Sequence, residues 1–185
     1  MAGLQRGDAP TLDAYHLVFD VVRMRAKDIG ALLGYNDSDS EEVQRLAAMN
    51  PDNVCVSFTP AEVPKYGSSL MAPLFVGLVA LATGRKIKKS IVITGEIGLW
   101  YMAERGHSLH GSMICDSQVM IWSMIDRGRI YQIGSLGEKM RIARTTEFKT
   151  IVRPSDNKSQ LMSPDLMDIS VGNIFDLLRA TMECE

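Results

Sequence analysis

Two adjacent serines, Ser68 and Ser69, lie where an irregular, glycine-containing stretch gives way to the apolar run Leu70 to Thr83. A hydroxyl at such a junction is exposed, and the unpaired N–H groups of a first helical turn are available to a developing oxyanion. Serine alone is a weak nucleophile and needs a base. Lys139 is a candidate, one turn into a helix that Ser135 opens. There the positive end of the helix dipole and any burial both disfavour an ammonium. To take a proton near neutral pH, a lysine must fall from about 10.4 by roughly three units, or ~4 kcal/mol, which requires a dry pocket. Thr94 ends a β-branched run and can hold an amine by a hydrogen bond. Each residue also has an ordinary structural role. Serine is a favoured helix N-cap, a helix lysine usually stands in solvent, and threonine suits a strand. These residues permit a Ser–Lys dyad without selecting it.

Other chemistries find less support. His16 falls in an amphipathic segment, and His107 and His110 share an i,i+3 spacing with no acidic or thiol partner at a helical interval. Neither a Ser/His/Asp set nor a metal site is expected. Cys55, Cys115 and Cys184 are odd in number and widely spaced, which suits a reducing compartment. Gly84-Arg85-Lys86 lacks the preceding glycine of a phosphate-binding loop, so no nucleotide site and no cofactor are expected. A net charge of -2 with both signs interspersed gives no footprint for nucleic acid or a membrane surface. The polar opening residues 1–11 do not resemble a secretory signal, and Leu70 to Thr83 is short of the ~20 residues that span a bilayer. The expectation is a soluble, intracellular chain.

The elements that must position these residues can be read from periodicity. Residues 12–33 predict an amphipathic helix capped by Thr11, with Tyr15, Val18, Val22, Ile29 and Leu33 on its buried stripe and Gly34 at its end. Ser38 and Glu41 have capping-box spacing for a short helix through Met49, closed by Asn50-Pro51. Val54 to Phe58 alternates like a strand, and an irregular stretch follows to Gly67. A buried helix is predicted from Ser69 to Thr83, with Pro73 in its first turn and Gly84 at its end. Ile91 to Ile93, Arg129 to Ile133, Thr150 to Val152 and Asp168 to Val171 predict strands. Helices are predicted from a Ser135–Glu138 capping box to about Thr145, and from Asn173 to about Met182. Strands alternating with helices over 185 residues, 46% of them hydrophobic and 23% charged, imply one α/β or α+β domain. Gly98 to Met124, about 27 residues rich in Met, Ser, Gly and His, has no clear period and is expected to be an insertion.

Several of these segments, in this order, resemble the C-terminal proteolytic domain of the Lon protease family. Pro64-Lys65-Tyr66-Gly67-Ser68-Ser69 is similar to the family's PKDGPS, whose last serine is the nucleophile, and Thr83-Gly84-Arg85 matches its TGR. Thr94-Gly95-Glu96-Ile97 matches TGEI, and Ile133 to Lys139 resembles IGGLKEK, whose second lysine is catalytic. Phe148 to Val152, Asn157-Lys158 and Ile174 to Leu177 resemble the family's later segments, so the likeness runs from about Val54 to Met182. There are departures. Tyr66 and Ser68 stand for an Asp and a Pro, and Leu70-Met71 for a small Ala-Gly that borders the substrate channel. Cys55 and Ser57 stand for two histidines, and Gly137 for the first lysine of the last motif.

The resemblance implies an α+β domain of the ribosomal protein S5 domain 2-like type spanning residues 1–185. The family's opening strands have no counterpart before Leu12, so a domain without its first hairpin is expected. It implies a serine endopeptidase in which Ser69 attacks, Lys139 is the base and Thr94 orients the lysine. The substrates would be unfolded polypeptides, and ATP would act only through a separate ATPase module. Self-association is implied, in the cytoplasm or the mitochondrial matrix; Glu183-Cys184-Glu185 is not a peroxisomal address. The departures raise a second expectation, a catalytically inactive relative that serves as an assembly module.

Overall fold

The computed structural model of the chain describes residues 9–35, 37–56, 68–98, 128–158 and 165–183. The expected insertion beyond Gly98, the histidines His107 and His110, Cys115, Cys184, Ser57, Phe58 and the stretch 57–67 lie outside them.

The predicted first helix is two: α1 (Ala9–Met24) and α2 (Ala26–Leu32). Arg25 leaves helical dihedrals (φ -103°, ψ 12°) while its N–H still bonds Val21 O at 3.0 Å, so the chain bends there without stopping. Thr11 lies inside α1 and is no cap. The predicted stripe is buried throughout, with Val18, Val22 and Ile29 at 0% exposure. In α3 (Glu41–Ala47) the capping residue is Ser40, not Ser38; its side chain accepts from Val43 N at 3.4 Å. A 3-10 turn at Pro51–Asn53 follows, capped by Asn50. The predicted strand at Val54 is not formed in its described part. Val54 is extended (φ -118°, ψ 124°), but residues 54–56 join no ladder among the described residues.

A 3-10 turn, Ser68–Leu70, leads into α4 (Met71–Thr83), whose end is set by Gly84 in the left-handed region (φ +69°). Phe75, Val76 and Val79 of α4 are fully buried against α1, α3 and the last helix, α6 (Ile174–Thr181). Arg85 reaches back to Leu33 O and lies over the Tyr35 ring at 5.4 Å, tying the end of α4 to α2.

The main sheet is parallel and three-stranded, with β4 (Thr150–Pro154) between β1 (Ile91–Ile93) and β5 (Met167–Val171). β2 (Glu96–Ile97) and β3 (Ile130–Tyr131) form a separate antiparallel pair; Arg129 makes only an isolated bridge to Asn173, so β3 is shorter than predicted. The remaining helix is α5 (Leu136–Thr145).

Alternation along the strands divides the apolar residues between two clusters. Val152 of β4, with Ile91 and Ile93 of β1, packs into the large cluster of α1–α4 and α6. Ile151 and Val92 pack on the other side, against Leu136, Met140 and Ala143 of α5 together with Ile133 and Leu166. The central strand is covered on both faces, which is why its adjacent residues Ile151 and Val152 are both apolar and both buried. The fold is α+β with a small parallel sheet. Among the described residues no helix is long and apolar enough to cross a membrane.

This division is testable. Leu46→Ala in the large core and Ile151→Ala in the small one should each cost about 2–5 kcal/mol in urea unfolding. Only Ile151→Ala should speed amide exchange selectively across residues 136–145.

Candidate active site

Thr94 follows β1 directly and is 4% exposed; its N–H bonds Val152 O at 3.0 Å, extending the β1–β4 pairing by one residue. Its hydroxyl is thereby held at the end of the sheet, on the side that α5 covers. Lys139, in the first turn of α5, reaches across and donates from Nζ to Thr94 Oγ1 at 3.1 Å. The amine is half-buried, and desolvation lowers its pKa below the ordinary lysine value. A solvated surface lysine is therefore not what stands here.

The main chain of Ser69 meets the next residue, Gly95. The Ser69 carbonyl accepts from Gly95 N at 3.2 Å, and the Gly95 carbonyl accepts from Ala72 N at 3.1 Å. The turn before α4 is thus fastened to the residue next to Thr94. The close approach needs a glycine. A Cβ on residue 95 would stand 2.7 Å from Ile130 Cγ2 and 3.2 Å from Ala72 Cβ. Ser68 donates to the Glu96 carboxylate, adding a side-chain tie. Ser69 is no helix cap: Leu70 occupies that position, α4 has no side-chain cap bond, and Ser69 Oγ makes no hydrogen bond among the described residues. The structure brings Lys139 onto Thr94, and the Ser69 main chain onto Gly95; the amine's bonded partner is Thr94.

Two sequence expectations about the surroundings change. Met71 is 1% exposed within the large core, so it does not line an open channel. The Ser135–Glu138 capping box is not formed. Ser135 takes a left-handed conformation (φ +54°) with no side-chain cap bond, and Lys139 N bonds Ser135 O at 3.2 Å.

Sequence reasoning missed what fixes the entry to α5. Asn157 Oδ1 accepts from Ile133 N at 2.8 Å and its Nδ2 donates to Ile133 O at 2.9 Å. Arg153, 8% exposed, holds Asp168 with two bonds (2.7 and 3.0 Å) and also reaches the Asn157 carbonyl. The available signal was a charged residue inside the apolar run Ile151 to Pro154, which has to find a partner when buried.

The Gly95 contact predicts that Gly95→Ala lowers unfolding free energy by about 1–3 kcal/mol through overpacking. The loss should be partly recovered by Ile130→Leu, which removes the Cγ2 methyl that the new Cβ would meet; chemical denaturation of the single and double variants measures both.

No family model matches the chain. Curated relatives do. The chain is 30% identical over 128 residues to the Lon protease of Orientia tsutsugamushi (strain Ikeda), which is 68% of this chain and 12% of that protein. It is 26% identical over 153 residues to the Lon protease of Desulforamulus reducens, 83% of this chain and 13% of that one. To the Lon protease of Vibrio parahaemolyticus it is 27% identical over 169 residues, 88% of this chain and 16% of the relative. An alignment over 88% of the chain runs across the positions of Ser69, Thr94 and Lys139. The chain spans only a small part, under a fifth, of each of these relatives' lengths. Relatives of one name matched over most of the chain place it in the Lon protease family.

Proposed function

We propose that this domain is a serine endopeptidase of Lon type that cleaves peptide bonds of unfolded polypeptides through a Ser69–Lys139 dyad oriented by Thr94. The observation that carries the reading is the half-buried Lys139 amine on the Thr94 hydroxyl, with its affinity for a proton lowered by desolvation. A lysine can serve as a base near neutral pH only when its ammonium form is destabilised in this way. Thr94 Oγ1 engages one N–H, which turns the lone pair of the neutral amine away from Thr94. Lys139 then takes the Ser69 proton as Ser69 Oγ forms a bond to the peptide carbonyl carbon. The ammonium returns that proton to the leaving amine as the C–N bond breaks. Water, deprotonated by the same amine, hydrolyses the acyl ester and restores Ser69. The chain needs no cofactor of its own in this scheme.

The finer reading of the fold is a ribosomal protein S5 domain 2-like domain over residues 1–185, with residues 98–124 inserted. Support comes from β2 and β3: Ile97 pairs with Ile130, so the intervening segment leaves and returns at one point. Self-association and an ATPase partner that delivers unfolded chains belong to the same reading, as what the family resemblance implies.

Ser69→Ala and Lys139→Ala should each reduce cleavage of an unfolded casein by about 10⁴-fold or more while leaving the circular dichroism spectrum unchanged. An assembly module without catalysis would show no labelling of Ser69 by a fluorophosphonate. Cleavage by the unmodified chain should rise with pH, because the amine must lose its proton, with a midpoint below the 10.5 of ordinary lysine. Stability follows the same sign. The folded state binds the Lys139 proton less tightly than the unfolded state does, so the cost of burial is full below the folded pKa and vanishes above 10.5. Lys139→Met should therefore raise the melting temperature at neutral pH, by an amount that shrinks as pH climbs toward that value.

A further inference from the structure

We infer that Asn157 is a positioning residue: by clamping Ile133 it sets where α5 begins, and so holds the Lys139 amine on Thr94. The inference rests on the reading of Lys139 as the base for Ser69, and its geometry is independent of that reading. The two bonds from the Asn157 side chain to Ile133 N and O copy the donor and acceptor pair that a neighbouring strand would supply. Ile133 lies two residues before Ser135, where the usual side-chain cap is missing and the backbone is left-handed. The entry to α5 is thus fixed from outside the helix, by a residue 24 positions further along the chain.

Asn157 is itself well anchored. Its N–H closes a turn on Pro154 O at 3.2 Å, and its carbonyl accepts from Arg153. The Arg153 guanidinium is buried and held in two bonds by Asp168 of β5. A buried, doubly bonded Arg–carboxylate pair has one geometry and leaves little rotational freedom. The connection therefore runs from β5 through Arg153 to Asn157, on to Ile133, and along one turn of helix to Lys139. Every link is a bond of fixed direction. Losing the clamp leaves the buried Ile133 amide groups unsatisfied and frees the start of α5 to shift.

Two measurements on the whole chain separate this inference from the reading beneath it. The first is the titration of Lys139, followed by NMR with ¹³Cε-labelled lysine and assigned by Lys139→Arg. With Asn157→Ala the midpoint should rise toward the ordinary 10.5 as the amine regains solvent. Asn157→Gln, which keeps both polar groups one methylene further out, should fall between, and it carries the test if the alanine variant does not fold. Leu46→Ala, in the large core, lowers stability elsewhere and should leave the midpoint unchanged. The second measurement is the rate of Ser69 labelling by a fluorophosphonate, which Asn157→Ala should slow by about tenfold to a hundredfold. An unchanged Lys139 midpoint in both Asn157 variants overturns the inference, whatever the labelling shows. A wild-type Ser69 that is not labelled, or is labelled equally fast in Lys139→Ala, overturns the dyad and leaves the titration to judge the clamp.

Discussion

Lys139 Nζ sits 3.1 Å from Thr94 Oγ1 in surroundings that strip away part of its water. A single neutral hydroxyl is a poor substitute for the hydration shell of an ammonium, so the contact is costly for the charged amine and cheap for the neutral one. That asymmetry exists only while the two groups are held together by something stronger than their own attraction. The holding forces come from opposite directions. Thr94 is fixed from within the sheet, through its N–H bond to Val152 O. Lys139 is fixed by a helix whose burial rests on the six residues of the small core.

The sheet is the common reference for both halves of the site. α4 and the Ser68–Leu70 turn belong to the large core on one face, and α5 belongs to the small core on the other. Neither half touches the strand end by side-chain packing alone. The turn carrying Ser69 and the first turn of α4 are each fastened by one main-chain bond to Gly95, and the helix carrying Lys139 by one side-chain bond to Thr94. Consecutive residues thus receive the two halves, and their separation is fixed by peptide geometry. A larger residue at position 95 would collide with Ile130 and Ala72, which is why the bend after β1 is a glycine although its φ is not left-handed.

Periodicity made the large core legible. The stripe on α1 and α2, the apolar run of α4 and the strands β1, β4 and β5 were all expected, because their burial follows a 3.6- or 2-residue repeat. What failed were single-residue choices at element ends. Ser40 took the cap expected of Ser38, since it directly precedes the helix, and Ser135 adopted a left-handed conformation where a capping box was expected. Two-residue strands such as β3 carry too little sequence for a period to register. Thr94 and Lys139 were legible as types, and their ordering beside Ser69 came from the family resemblance. Asn157 was marked by the family resemblance, but its clamping role was not legible, because nothing in a polar Pro-Ser-Asp-Asn turn names a partner 24 positions away.

The unequal size of the two cores carries a consequence for the chemistry. α4 is embedded among α1, α3 and α6, so the Ser69 turn moves only when the large core moves. α5 buries only Leu136, Met140 and Ala143, and its exposed flank includes Ile142. Elements with little buried apolar surface open at lower free energy than the whole domain. The amine therefore sits on an element with few buried apolar residues, and the burial that lowers its affinity for a proton also disfavours the position of α5 at neutral pH. Hydrophobic contact supplies too few residues there to fix an angle. Directional bonds supply the rest: the clamp at Ile133, the Arg153–Asp168 pair behind it, and the contact of the amine with Thr94. Such bonds add modestly to stability and strongly to geometry, and geometry is what a proton transfer between two side chains requires.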